Sequence, residues 1–221
     1  MELSAEPNDL DLAATSFLTV DHPNIVAFAT EAIRECNTDA DRAVALFVAV
    51  RDGLRYDPYD ISTNPLDYHA DAVLGGSQRW CVSKAVLLAT LARAVGIPAR
   101  LGFADVKNHL QSAKLLARMG TDLFTWHGFA VIWLDGEWRK ASPAFNRELC
   151  ERFGTKVLEF DGRSDALLHA HDESGNQHME YVNDRGTYQD LPFDEIMNSM
   201  AETYTFVSRP EPAGFDPDFH G

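Results

Sequence analysis

The pattern of apolar residues points to an α+β protein, with helices leading the chain and strands concentrated in its second half. Three observations carry this expectation. Apolar residues recur at helical spacing between positions 23 and 95. Two strand-like runs flank Asp135-Gly136, a two-residue hairpin turn. The chain of 221 residues is 45% hydrophobic, which is ample for one core.

The first helix is expected behind Asp21 as N-cap, with Pro23 near its first position and Ile25, Phe28, Ala29, Ala32 and Ile33 on one face. Thr38 or Asp39 caps a second helix, for which Val44, Phe47 and Val48 form the expected buried stripe, ending near Gly53. Residues 55–79 carry Pro58, Pro65, Gly75 and Gly76 and read as a long ordered loop. The segment from Trp80 to Val95 is rich in Ala and Leu and nearly apolar all round. It stops at Gly96-Ile97-Pro98, so a buried helix is expected from about Cys81 to Val95.

A strand follows from Ala99 to Val106. Residues 107–125 suggest a short helix or lid. His127 to Leu134 and Glu137 to Ser142 are the arms of the hairpin. Strand character returns at 156–160 and 178–183, and a last helix spans about 193–204. The organisation expected is one domain over residues 1–208 with a flexible tail over 209–221.

Bulk properties narrow the function. A net charge of −15 repels nucleic acid and anionic membranes. The N-terminus has neither a basic nor an apolar signal region, and no stretch approaches a charge-free membrane span. Three widely separated cysteines without a CxxC argue against a disulfide framework or a thiolate zinc site. A cytoplasmic protein is expected, with no cofactor. His169, His171 and His178 include a His-x-His pair that suits a metal on a strand, but the spacing matches no closed site, so no metal is expected.

Chemistry concentrates around Cys81. It follows Gly75-Gly76-Ser77 and opens a helix, where unpaired amides and the positive dipole end favour a thiolate and can hold an oxyanion. The alternative is a buried core cysteine. His127 opens the hairpin strand and can serve as the imidazole that a cysteine nucleophile needs. With Asp135-Gly136 as the turn, paired positions sum to a constant. Ser142 then faces Phe129 and is a diagonal neighbour of His127.

Gly75-Gly76-Ser77-Gln78-Arg79-Trp80-Cys81, then Arg93-Ala94-Val95-Gly96-Ile97-Pro98-Ala99-Arg100, then the His127 strand and the Trp138-bearing return strand, resemble the transglutaminase-like superfamily over about residues 40–145. The resemblance implies a papain-like core in which a Cys-bearing helix packs on an antiparallel β-sheet. It implies Cys81 as nucleophile and His127 as its partner. The family's third member, an Asp followed by Pro, falls here at Ser142-Pro143. Asp105 is the preferred replacement, because the strand after Gly-Ile-Pro-Ala-Arg can flank the His strand on its other side and a charge serves an imidazolium better than a dipole. Asn146 and Ser142 itself are the alternatives.

Gln78, Trp80 and Trp126 are candidates for an oxyanion hole or pocket, with simple packing as the competing reading of each tryptophan. The resemblance implies a covalent acyl-cysteine intermediate and a small-molecule or carrier-bound acyl substrate, or a peptide. A degenerate binding or scaffolding module is the alternative.

Overall fold

A computed structural model describes residues 6–111, 113–172 and 174–204. The element order is α1 (Pro23–Ala32), α2 (Asp39–Gly53), β1 (Arg55–Tyr56), α3 (Ala70–Leu74), β2 (Gln78–Arg79), α4 (Cys81–Ala94), β3 (Ala99–Asn108), α5 (Ala113–Met119), β4 (Leu123–Leu134), β5 (Glu137–Ala141), α6 (Arg147–Phe153), β6 (Met179–Tyr188) and α7 (Phe193–Thr203). The expected tail over 209–221 lies outside the described residues. Among those residues no helix is long and apolar enough to cross a membrane.

Four strands form one antiparallel sheet in the order β5-β4-β3-β6. Helix α4 packs on β3 and β4 and is covered by α1, α2 and α3. This explains its composition. A helix enclosed between a sheet and other helices has no solvent face, so Val82, Val86, Leu87, Leu88 and Leu91 are all buried. Each such aliphatic side chain stabilises the fold by about 1.5–3 kcal/mol.

Two cations are buried with α4. Lys84 is fully buried, and its Nζ donates to the carbonyl oxygens of Arg51 (2.8 Å), Leu54 (2.6 Å) and Ala144 (2.8 Å). Burial pushes its ammonium down to about 7, while three carbonyl acceptors each require a proton from the nitrogen. Arg93 donates to the carbonyls of Ala99, Ala13 and Gln189, at 2.7–2.9 Å. Arg100 makes a bidentate pair with buried Asp11, both contacts at 2.7 Å. The arginines of the Ala-Arg-Ala-x-Gly-Ile-Pro-Ala-Arg stretch therefore tie distant segments to the core.

The hairpin follows its sequence signature. Leu134 pairs with Glu137, Trp133 with Trp138 and Ala130 with Ala141. Asp135 and Gly136 both have positive φ (51° and 85°), as a type I′ turn requires. Between β3 and β4 the register shifts after the Ala104–His127 pair. The extra residue lies in β4, where Trp126 has φ +58°.

Several local expectations are corrected. His22, not Asp21, caps α1, its Nδ1 accepting from the Asn24 amide at 3.3 Å. Thr38 caps α2 in a capping box with Asp41. The buried stripe of α2 runs through Ala43, Leu46, Phe47 and Val50, while Val48 is exposed. Small Ala43 is part of that stripe, which a count of large side chains overlooks.

The loop over 55–79 contains α3 and the parallel pair β1–β2. Residues 156–160 are not a strand. Leu158 and Phe160 are buried in irregular chain, with Phe160 against Phe47 at 5.5 Å between ring centroids.

Candidate active site

Cys81 is the first residue of α4, and the N-cap position, Trp80, supplies no side-chain hydrogen bond. The amides of the first turn are left without side-chain caps. The backbone N–H groups of Cys81, Val82 and, on β4, Gly128 all act to lower the pKa of the sulfur. This convergence depends on a close approach. A Cβ built on Gly128 would lie 2.9 Å from the Val82 backbone, so only glycine lets β4 come so near the start of α4.

His127 is the residue before that glycine and is 5% exposed. Its Nε2 lies 3.1 Å from Ser142 Oγ, the diagonal contact expected from the hairpin register. The ring meets Tyr181 edge-on at 6.2 Å. Nδ1 makes no hydrogen bond among the described residues. One ring nitrogen is thus anchored by the Ser142 hydroxyl.

Burial dominates the electrostatics. It pushes the Cys81 thiol up to about 11, against the lowering effect of the amides of Gly128, Val82 and Cys81 itself. It pushes the His127 imidazole down to about 4. At neutral pH both groups rest uncharged. The expectation of a preformed thiolate is corrected on this point: the helix-start amides are in place, but desolvation of the sulfur outweighs them.

Asp105 does not sit on the imidazole. Its Oδ1 accepts from Arg185 Nε at 2.5 Å and from the Trp126 amide at 3.1 Å, and its Oδ2 accepts from Asn183 Nδ2 at 3.0 Å. Burial alone would raise its pKa, but these donors hold the carboxyl below its ordinary value. The carboxylate therefore secures the bulge in β4 and the neighbouring strand β6.

Asn146 is also engaged elsewhere, its Oδ1 accepting from the Tyr56 amide at 3.0 Å. Of the three residues considered for the third position, Ser142 is the one hydrogen-bonded to the imidazole.

Gln78 donates to Asp57 Oδ2 at 3.1 Å, which ties β2 to the chain after β1. Trp80 is buried edge-on against Tyr68, with centroids 6.2 Å apart. Trp126 packs on Phe103 and Tyr188 and beneath Arg185, whose guanidinium carbon is 4.7 Å from its ring centroid. Both tryptophans pack on aromatic neighbours, and their indole N–H groups are buried without a hydrogen-bond partner among the described residues.

Sequence reading passed over Tyr56 and His178, which line a cavity together with His127. In the sequence, His178 stands out only as a potential metal ligand. Among the described residues no group of three or more His, Cys, Asp or Glu side chains is arranged to hold a metal.

None of the curated proteins matches the chain. One similar solved structure is "a Putative Cysteine Protease from Cytophaga hutchinsonii", at 14% identity and a TM-score of 0.47, the match covering 80% of this chain and 53% of that one. A second is "a putative protease from Parabacteroides distasonis", at 20% identity and a TM-score of 0.39, covering 57% of this chain and 25% of that one. The chain thus spans about half the length of the first and a quarter of the second. The family model of the transglutaminase-like superfamily matches residues 26–143, more than half of the sequence and the part that contains Cys81, His127 and Ser142, and the chain belongs to that superfamily.

Proposed function

We propose that this protein is a cysteine-dependent enzyme that forms a covalent acyl-cysteine intermediate at an amide, ester or thioester carbonyl. The observation that supports it best is that the backbone N–H groups of Gly128, Val82 and Cys81 all favour negative charge on the Cys81 sulfur, while His127, next to Gly128 in the chain, is anchored by Ser142.

The steps follow from these groups. The Cys81 sulfur attacks the carbonyl carbon and gives its proton to His127. The carbonyl oxygen takes the negative charge in reach of the amides. Collapse breaks the bond to the leaving group, which receives the proton from His127. Water then attacks the acyl-cysteine, returning the sulfur its proton and releasing the acid. An amine or a carbon nucleophile in place of water gives transfer or cyclisation. Cys36, Cys81 and Cys150 are all free thiols, which fits work in a reducing compartment such as the cytoplasm.

A second reading, a binding module on a retained scaffold, has one observation in its favour: the imidazole is paired to an uncharged serine. Steady-state hydrolysis of p-nitrophenyl esters and aryl thioesters separates the two. The enzyme reading expects turnover that Cys81→Ala abolishes and His127→Gln lowers by about 10²-fold or more. Turnover absent in the wild-type chain, or unchanged in Cys81→Ala, favours the module.

A further inference from the structure

A cavity of about 100 Å³ opens beside His127. Its wall includes Tyr56, Phe124, Phe145, Leu149, Leu168 and Met179, and no Asp, Glu, Lys or Arg among the described residues. The wall is thus uncharged although the chain carries a net charge of −15. Leu110 and Phe153 belong to the same wall and are both exposed, so the apolar lining continues out to the rim.

The cavity also holds a polar group that the fold does not use. His178 is 8% exposed and lies parallel to Phe145 at 6.5 Å between centroids. Its ring nitrogens make no hydrogen bond among the described residues. Burial lowers its pKa, so it offers one donor and one acceptor as a neutral ring. An uncharged ligand with one polar end would satisfy it.

We propose that this cavity binds an uncharged apolar part of the substrate, with His178 hydrogen-bonding its polar end. The inference rests on the enzyme reading above and gives it a substrate class. Size sets the range: an apolar cavity of about 150 Å³ accepts benzene, so this one, open at its rim, suits a branched alkyl or phenyl group of about four to six carbons. Carboxylate-bearing or cationic groups of the same length are excluded, because no counter-charge lines the wall.

Cys150 lines the same cavity and is 2% exposed, which makes it a reporter of occupancy. In the Cys81→Ala chain, alkylation of Cys150 by N-ethylmaleimide is followed by peptide mass spectrometry, with and without hexanamide or its charged counterpart succinamate. The proposal expects hexanamide to slow labelling at least fivefold and succinamate to leave it unchanged, with His178→Phe weakening the hexanamide effect. Equal effects of the two probes, or none, overturn it.

With the wild-type chain, kcat/KM is then compared along two ester series, one varying the acyl chain and one the leaving alcohol. In one of them it should rise about threefold per methylene up to four to six carbons and then level or fall. A flat response in both overturns the proposal while leaving the enzyme reading intact. Protection of Cys150 without turnover of any ester would instead remove the enzyme reading and leave a binding site.

Discussion

Ser142 Oγ lies 3.1 Å from His127 Nε2, across two antiparallel strands and on a diagonal rather than between paired residues. The contact fixes the ring without giving it a charged partner. A carboxylate at that position would stabilise the imidazolium; a hydroxyl orients the neutral ring and leaves its low pKa to burial. The site is therefore arranged around a neutral thiol and a neutral imidazole.

Two variants at position 142 separate orientation from charge. Ser142→Ala should lower kcat about fivefold with KM little changed, since one orienting hydrogen bond is worth about 1 kcal/mol. Ser142→Asp should raise the His127 pKa above 4, as followed by the imidazole proton resonances in NMR. An Asp variant whose imidazole still titrates at about 4 would mean that position 142 does not set the ring's environment.

Asp105→Asn tests the structural role of that carboxylate. The substitution removes the charge that meets Arg185 while leaving the bulge in β4 close to its shape. Unfolding in urea should show a loss of about 2 kcal/mol, because the pair is mostly buried and hydrogen-bonded. The pH dependence of Cys81 alkylation should stay where it is. A displaced pH profile at unchanged stability would place Asp105 in the imidazole's circuit.

Burial of neutral His127 makes stability depend on pH. The folded group titrates at about 4 and the unfolded one near 6.5. Between those values the unfolded chain binds a proton that the folded one refuses, so stability is full above pH 6.5 and falls as the pH drops towards 4. From pH 7 to pH 5 this group should account for about 2 kcal/mol of lost stability. Urea titrations of wild type and His127→Gln at the two pH values measure it; identical losses in both would assign the effect to other groups.

Lys84→Met keeps the length of the side chain and removes its three donors. The carbonyls of Arg51, Leu54 and Ala144 are then left without this partner, at a cost of about 3–5 kcal/mol and a fall of about 10 °C in Tm. An unchanged Tm would show that these carbonyls find other donors.

The parts of this fold that sequence revealed are those governed by local rules. Asp135-Gly136 dictates its own turn, and that turn dictates the register that puts Ser142 beside His127. Helix α4 announces itself by composition and by the Gly96-Ile97-Pro98 stop.

What stayed hidden depends on partners far along the chain. Asp105 is held by Asn183 and Arg185, on a strand whose pairing no local pattern foretells. Lys84 reads as the polar interruption of an apolar helix until the end of α2, its C-cap Leu54 and the chain after β5 converge on it. Helix α6 is only one and a half to two turns long and lies among residues that show no clear period. At Cys81 the helix-start amides are visible in the sequence, whereas the depth of burial that opposes them is not.

Cys81 is distinguished from a second buried thiol, Cys150, which itself lines the cavity beside His127. Intact-protein and peptide mass spectrometry after brief exposure to p-nitrophenyl butyrate locates the acyl group. A single butyryl adduct on the Cys81 peptide, absent from Cys81→Ala and slower to form in His127→Gln, is expected. An adduct on the Cys150 peptide alone, or labelling of the three cysteines at equal rates, would contradict a nucleophile at the head of α4.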